Sequence, residues 1–539
     1  MIKKTGIITL FLIIFLLGAY LRVRHLTSRP GWFRDEGTYF EASRSLMLGK
    51  SKVGALNCTF ASPFLTHPPL FFYLNSIWFK IFRPDFQSFR RFSVSCNLLI
   101  MIVLFLIATR MEGLKLGFLS LSIFTFHPLS VLFSRMALPY HLYSLFGVLL
   151  FYSILNIIDY KDYSEDKNLE YRRMFKRIEQ FWLIIAIISA SLALFTVYYA
   201  FVFIIFIGII LFLEGKKRQL LHLLIIPVPI VAFFLISLMS SETGFIEDAK
   251  ALFLANKSGS AMTTLQHYRE FFSMGVIFIL GSVGLLFFKN VKQVLLISLM
   301  FFLALHVVLR KEDTIISFIN YPIIPLLPFL SIGLAKLILY LIDYIKESII
   351  WKLDISHNLK ISIHSLVIFF LILLFLPPIR ESFRSIQIGF KSTLDFGMTK
   401  NQADSYQTAG FLNANTKKDS VVLCTSTLWW LLSTERYSDI SQALAYQGIK
   451  SDFYLYPISK DRFLFNPSIS EAMFVVEDGF TDARSGQFPG APPNPIKVAL
   501  EQVRNNWLKV KVIGEYRIYL NPIYQPEFQK IGAENQGGV

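Results

Sequence analysis

The sequence predicts a polytopic α-helical membrane protein of about eleven spans, ending in an extracytoplasmic α/β domain. Three observations carry this. Hydrophobic residues make up 54% of the 539 positions and charged residues only 17%, against about 25% charged in an average soluble protein; the mean hydropathy is +0.51. Long apolar runs recur from the N-terminus as far as Pro377-Pro378. Beyond them the composition becomes mixed, with short β-like runs (SVVLCTS, AMFVVED, VKVIGEYRIYL) between polar turns. The chain therefore divides into a membrane part, 1–379, and a soluble part, 380–539.

Residues 5–21 follow Lys3 and Lys4, and no small-x-small cleavage site comes after them. They read as an uncleaved first span with the N-terminus in the cytoplasm. Residues 22–90 form a long outer loop with a short helix over 36–49. Within it, THPPLFFYLNSIWFKIF (66–82) is too short to cross: Leu70 to Phe82 rises about 20 Å as a helix, against a core of roughly 30 Å. Its Tyr, Trp and Lys suit an interfacial helix.

Further spans fall at 91–109, 116–133, 141–158, 220–238, 271–288, 293–309, 318–343 and 361–378. The run 181–213 would be about 50 Å long as one helix, too much for tilt to absorb. It splits into two spans turning near Val197-Tyr198-Tyr199. Inner loops in this register hold 16 Lys/Arg and the later outer loops 6, the sign expected of a multi-pass protein of the plasma membrane. The C-terminal domain then lies outside the cytoplasm. It contains a loop at 485–495 and a tail after Gln529 expected to be disordered.

The net charge of +16 comes from 53 Lys+Arg and 37 Asp+Glu. These basic residues lie between apolar runs and not in one patch, which excludes nucleic acid and favours contact with anionic membrane lipids. Cys58, Cys96 and Cys424 make no disulfide framework and no metal cluster; a Cys58–Cys424 bridge requires both to lie outside. Asn57-Cys58-Thr59 and Asn256-Lys257-Ser258 match the glycosylation sequon. The sequence contains no CxxC or HExxH, and no P-loop or Rossmann fingerprint.

The chemistry concentrates in GWFRDEGTYFEASRSL, residues 31–46, which sets Asp35 and Glu36 side by side among Arg34 and Arg44. Charge beside a hydrocarbon slab is costly unless it meets water, a partner or a substrate. Two acids opening a helix also suit its dipole, so capping is the plain alternative. Neighbours on a helix point in different directions. One acid would therefore be a general base and the other would orient a partner.

Arg135, in SRMALPYH, falls on the same outer side, where its planar fork suits a phosphate or an interfacial anchor. Arg34, Arg44, Lys80, Arg90 and Arg91 are further cations of this kind. His67, before Pro68-Pro69, would sit near the carboxylates. If a divalent cation is used at all, Asp35, Glu36 and His67 are its candidate ligands. Arg310 and Lys311, followed by Tyr321, Pro322, Pro325 and Pro328, make a second basic mouth above a proline-broken span, where a kink could admit a lipid tail.

With RDEGTYFEASRSLMLGK, THPPLFFYL, RRFSVSCNLL and SRMALPYHLYSLF in this order, the chain resembles the GT-C glycosyltransferases of the dolichyl-phosphate-mannose protein mannosyltransferase and aminoarabinose-transferase type. The likeness covers about the first 220 residues. It implies sugar transfer from a polyprenyl-phosphate donor at the outer face, with Asp35 as base, Glu36 its companion, His67 in the pocket and Arg135 on the phosphate. Two positions depart from the family. Tyr140, followed by His141, stands where relatives carry an acid five residues after the arginine. This leaves Tyr140 as a substrate-lining residue and weakens any carry-over of metal binding. Tyr198 and Tyr199 stand where relatives place a lysine, which shifts the phosphate contacts toward Arg310 or Lys311. The acceptor is left open among protein, lipid and glycan. Two other classes compete. A flippase for lipid-linked glycans would need broken helices or charges at mid-membrane paired across two halves, and the sequence has neither. A non-catalytic assembly protein would use residues 380–539 as its binding module.

Overall fold

The apolar runs become helices in nearly the predicted order. The computed structural model describes residues 2–50, 54–56, 67–159, 169–198, 200–241, 276–288, 321–349, 356–373, 376–389, 401–450, 458–479, 481 and 494–536. The membrane part opens with α1 (Ile2–Val23), then α2 (Arg34–Met47) and the short apolar α3 (Leu70–Ile81). It continues through α4 (Phe86–Glu112), α5 (Leu114–Phe126), α6 (Pro128–Ser134), α7 (Pro139–Asp159), α8 (Leu169–Leu194) and α9 (Ala200–Leu213). Then come α10 (Lys217–Ile225), α11 (Pro227–Ser241), α12 (Val276–Leu285), a 3-10 turn at Tyr321–Leu326, α13 (Leu327–Tyr344), α14 (His357–Leu373) and α15 (Leu376–Ile388).

Six helices among the described residues are long and apolar enough to cross a bilayer, or seven with one bent pair. The chain is a multi-pass membrane protein. The expected span 293–309 lies outside the described residues.

Two long runs break. The 181–213 run ends one helix at Leu194 and starts the next at Ala200, where its length demanded a turn. The expected span 116–133 is not one rod, because α5 and α6 meet at 64°. Pro128 has no N–H to continue the ladder, and it holds His127 extended at φ −72°, ψ 127°.

The orphan carbonyls at this break are all satisfied. Arg22 Nη1 donates to Thr125 O (3.2 Å) and Arg22 Nη2 to Phe124 O (3.2 Å). Ser382 Oγ donates to Phe126 O at 2.7 Å. That last bond ties α15 to the membrane part, so residue 380 falls inside a helix that packs on α6 rather than at a domain edge.

The soluble part contains α16 (Gln402–Ala414), β1 (Val421–Leu423), α17 (Ser426–Trp429), β2 (Arg436–Ser438), α18 (Ile440–Tyr446) and β3 (Ala472–Glu477). It ends with α19 (Pro495–Asn506), β4 (Leu508–Ile513), β5 (Tyr516–Leu520) and α20 (Gln525–Gln536). All three β-like runs are strands of one sheet, ordered β2-β1-β3-β5-β4. The first three strands are parallel and the last two antiparallel to their neighbours. Parallel β1 and β3 are buried throughout, as strands covered on both faces must be.

The expected disorder after Gln529 is corrected, since α20 runs to Gln536. Phe528 docks on Phe411 and Phe474, and Glu527 pairs with Lys417 at 2.6 Å, which anchors its first turn. Cys424 is buried and unbridged; Cys58 and both sequon asparagines lie outside the described residues.

Helices α12 and α13 touch backbone to backbone through glycines. A Cβ on Gly284 would land on Gly333 O, and one on Gly333 would land on Gly281 O. Small residues allow this approach where no hydrophobic force drives helices together within lipid. Gly333→Ala should therefore cost about 1–3 kcal/mol through overpacking, read as a lower unfolding midpoint in detergent. Gly6→Ala, with nothing within 4 Å of the added methyl, should leave that midpoint unchanged.

Candidate active site

Helix α2 places its residues on three faces, because 3.6 residues complete a turn. Glu36, Phe40 and Ser43 point into the membrane part. Arg34, Gly37, Glu41 and Arg44 point at the soluble domain. Asp35 and Tyr39, four apart, share the third face.

On the inner face Glu36 and Arg90 are fully buried and joined by two hydrogen bonds. Arg90 Nε donates to Glu36 Oε1 at 2.8 Å and Arg90 Nη2 to Oε2 at 2.6 Å. The Ala137 and Phe33 amides donate to Oε1 and Oε2 at 2.7 and 3.1 Å. These four bonds fill a carboxylate's acceptor sites. The remaining Arg90 donors reach the carbonyls of Leu26 (2.9 Å), Pro30 (2.8 Å) and Gly31 (2.7 Å).

Neither group has capacity left for a substrate. Glu36, expected as a catalytic companion, and Arg90, expected on a phosphate, are taken up by each other and by main-chain groups. A cation on Asp35, Glu36 and His67 does not fit either, because Arg90 and two amides occupy the Glu36 oxygens. Among the described residues no three His, Cys, Asp or Glu form a metal cluster.

Arg135 lies beside this pair, on the expected face, but in another role. It is fully buried. Its Nε donates to Arg29 O (2.9 Å), Nη1 to Leu21 O (2.6 Å) and Nη2 to Arg24 O (2.6 Å). A cation on the carbonyls that end a helix satisfies orphan acceptors and the dipole together. Arg135, expected on a phosphate, caps the end of α1 in this structure. His141 Nε2 lies 2.6 Å from Phe133 O at the end of α6.

The outer face of α2 meets the soluble domain. Arg34 Nη2 pairs with Asp439 Oδ2, and Ser426 Oγ donates to Arg34 O at 2.7 Å. Arg44 Nη2 pairs with Glu41 Oε2 at 2.8 Å, and Arg44 Nη1 donates to Trp430 O at 3.2 Å. The Tyr437 hydroxyl donates to Glu41 Oε1. Arg34 and Arg44, expected on substrate, instead hold a domain. Trp430 stacks on Phe86 (centroids 4.9 Å apart, planes 8° apart) and tilts onto Trp32 and Phe40.

The third face carries Asp35 and Tyr39. Asp35 is half-buried. Tyr39 stands edge-on to His67 (5.5 Å), and His67 edge-on to Tyr140 (5.4 Å). Burial raises the Tyr39 hydroxyl well above its ordinary range, helped by the charges of Asp35 and Tyr140. His67 is buried, its Nδ1 meets no hydrogen-bond partner among the described residues, and burial pushes the imidazole down to about 3, so it stays neutral. The Leu70 amide donates to Phe195 O at 3.1 Å, which draws the α8–α9 turn, with Tyr198, up to the start of α3.

Lys80 and Arg91 are exposed. Tyr321 opens the 3-10 turn, which packs on α6 and α7. Arg310 and Lys311 lie outside the described residues.

Sequence reasoning missed Gly37, Glu41, Trp430, Tyr437 and Asp439. One signal was present: Asp439 and Gln442 have capping-box spacing, and Asp439 does cap α18, accepting from the Gln442 amide at 2.9 Å.

Removing one partner of the inner pair strands a buried charge. Arg90→Met should cost about 3–5 kcal/mol, seen as a large fall in thermal midpoint, while Asp35→Asn should leave the midpoint nearly unchanged. His67 gives a second test. Its folded pKa is depressed to about 3 from 6.5, so between those values the unfolded chain binds more protons and stability is lost as the pH is lowered. His67→Gln should flatten the loss of midpoint from pH 7 to pH 5, followed by scanning calorimetry.

Residues 66–166 match the family model described as dolichyl-phosphate-mannose-protein mannosyltransferase. No curated protein sequence matches the chain. Among solved structures, ArnT from Cupriavidus metallidurans bound to undecaprenyl phosphate superposes with a TM-score of 0.59 at 15% identity, over 96% of this chain and 98% of that one. The archaeal oligosaccharyltransferase AglB from Archaeoglobus fulgidus, in complex with an inhibitory peptide and a dolichol-phosphate, superposes at 0.52 and 12% identity, over 88% and 70%. The chain shares the GT-C fold of ArnT and AglB, and residues 66–166 are similar to the mannosyltransferase family model.

Proposed function

We propose that the chain transfers a sugar from a polyprenyl-phosphate carrier to an acceptor hydroxyl at the outer face of the membrane, with Asp35 as general base. The asymmetry between two adjacent acids supports this reading. Glu36 is spent on Arg90 and two amides, whereas Asp35 stays half-buried on the face shared with Tyr39. A positioned base is typically worth about 10²–10⁴ in rate.

The neutral His67, Tyr39 and Tyr140 make an apolar wall on which a sugar ring can stack, and His67 Nδ1 is placed to bond one of its hydroxyls. Arg34, Arg44, Arg90 and Arg135 are engaged elsewhere. The leaving phosphate then falls to Arg310 and Lys311, which precede the proline-broken entry to α13 in sequence; oriented cations would stabilise its charge. Comparable proteins were crystallised with undecaprenyl phosphate and dolichol-phosphate, which suits a carrier of this class. In this reading the N-terminus is cytoplasmic and the 401–536 region lies outside.

The test is mass spectrometry of surface glycans, glycoproteins and glycolipids from cells with the wild-type chain, the Asp35→Asn variant, or neither. The expected result is a product mass present only with wild type, while Asp35→Asn inserts and melts normally. A well-folded Asp35→Asn chain that forms the product in normal amount would remove this assignment.

A further inference from the structure

Helix α3 is buried along one side only. On that side Phe71 and Phe72 stand edge-on to Tyr39, with ring centroids 6.2 and 5.7 Å away. Tyr73, Ile77 and Ile81 recur every four residues down the other side, where Ile77 is 51% and Ile81 70% exposed. Exposed Phe82 carries this apolar ridge past the helix end. Trp78 Nε1 donates to Ser88 O at 3.0 Å, and its ring meets Phe92 at 5.8 Å. The end of α3 is thereby pinned to the start of α4.

Lys80, Arg83 and Arg91 flank this corner, and all three are exposed. Among the described residues none of their side chains makes an ion pair or a hydrogen bond. The acid between them, Asp85, caps α4 by accepting from the Ser88 amide at 2.7 Å. The depth of the corner follows from α4, which is long and apolar enough to cross a bilayer. Arg91, Leu99, Leu106 and Arg110 are exposed along one stripe of that helix. From Arg91 to Arg110 it rises about 28 Å, against a hydrocarbon core of roughly 30 Å. Arg91 therefore stands at a headgroup boundary, on the end where Arg90 holds α2.

We propose that the corner between α3 and α4 is a binding surface for anionic phospholipid. The ridge of Tyr73, Ile77, Ile81 and Phe82 enters the boundary between headgroups and acyl chains, as the apolar face of an interfacial helix does. Lys80, Arg83 and Arg91 hold headgroup phosphates, since basic side chains at this level are drawn to anionic lipid. The bilayer then seats one side of a helix whose other side packs on Tyr39, and anionic lipid steadies the wall beside Asp35. The surface itself does not depend on the role of Asp35; its effect on transfer rests on the proposed function.

The experiment places the full chain in nanodiscs of phosphatidylcholine alone, or of phosphatidylcholine and phosphatidylglycerol in equal parts, and follows hydrogen exchange over 70–91. Phosphatidylglycerol should slow exchange there by about fivefold or more, the worth of one cation at an anionic surface. Lys80→Gln, Arg83→Gln and Arg91→Gln combined should abolish the slowing, whereas Lys80→Arg, Arg83→Lys and Arg91→Lys combined should keep it. A benzoyl-phenylalanine introduced at position 77 or 81 should form a phospholipid adduct on irradiation, detected by mass spectrometry. In cell membrane vesicles the glutamine variant should form the product of the glycan comparison several-fold more slowly than wild type.

Exchange that ignores phosphatidylglycerol, or a glutamine variant that still responds to it, overturns the headgroup contacts. No lipid adduct from either position overturns the ridge. If trace undecaprenyl phosphate in phosphatidylcholine reproduces the slowing by itself, the cations belong to the carrier and the phospholipid surface is overturned. A glutamine variant that transfers at the wild-type rate breaks the link from lipid to site. Should Asp35→Asn transfer normally, the base assignment fails instead, and exchange and crosslinking still decide whether the lipid surface exists.

Discussion

The buried Glu36–Arg90 pair is the constraint on which the outer half of this molecule depends. Two charges taken out of water are costly, and their attraction offsets that cost only when every remaining donor and acceptor is satisfied. Here each is: four bonds reach the carboxylate and five leave the guanidinium. Their ends lie on the first loop, on α2, on α4 and on the Ala137 amide beyond α6. One carboxylate therefore fixes the relative positions of four chain segments. It also fixes the start of α2, and with it the direction in which Asp35 points. A general base needs its position held to a fraction of an ångström, and a half-exposed helix start cannot hold itself so. A saturated acid beside a half-buried one gives its neighbour the fixed position that the proposed role of Asp35 requires.

This arrangement explains which parts of the site were legible in sequence. Acids flanked by arginines at the mouth of an apolar run have few cheap explanations, so the stretch 31–46 stood out. The division of labour did not, because Asp35 and Glu36 differ in sequence by one methylene and differ in the fold by which face of α2 they occupy. Arg90 and Arg135 were read as ligands for phosphate because both lie on the outer side. In the structure a carboxylate and helix-end carbonyls hold them. The orphan carbonyls at Leu21 and Phe124 have no signature in composition, since every helix has them and only the tertiary fold decides which cation reaches them. The run 181–213 was readable because length alone forbids one helix. The bend at His127-Pro128 was readable in principle, since Pro128 bars a straight helix; a smooth hydropathy profile concealed it.

The contact between α2 and the soluble domain belongs to a different class of information. Gly37 in RDEG looks like a weak point in a helix, and glycine there costs about 1 kcal/mol relative to alanine. The fold gives the reason, because α17 passes where a side chain would be. Nothing local to residues 31–46 encodes that neighbour. The same holds for Trp430, whose ring fills a nest made by Trp32, Phe40 and Phe86. Trp430 is half-buried there, and aromatic anchors of this kind contribute strongly to the energetics of protein surfaces that meet. The soluble domain is thus bound to α2 by an apolar centre and two polar clusters, rather than hung from a linker.

A count of charges at the site shows where the proposed chemistry must find its cations. Arg22, Arg90 and Arg135 are all fully buried, with one carboxylate, Glu36, paired to one of them. The other two are balanced by helix ends. Arg22 lies on the last carbonyls of α5, and Arg135 on the end of α1. Each helix end carries the equivalent of about half a negative charge, so much of the field of these arginines is consumed within the fold. Arg34 and Arg44 are likewise paired, with Asp439 and Glu41. Five arginines near the acids are therefore structural, although any of them in isolation would suit a phosphate. A leaving phosphate gains from a cation only if that cation is not already neutralised, because uniform prior satisfaction leaves nothing to strengthen in the transition state. On this argument the phosphate end of the proposed reaction is remote in sequence from the stretch that holds Asp35.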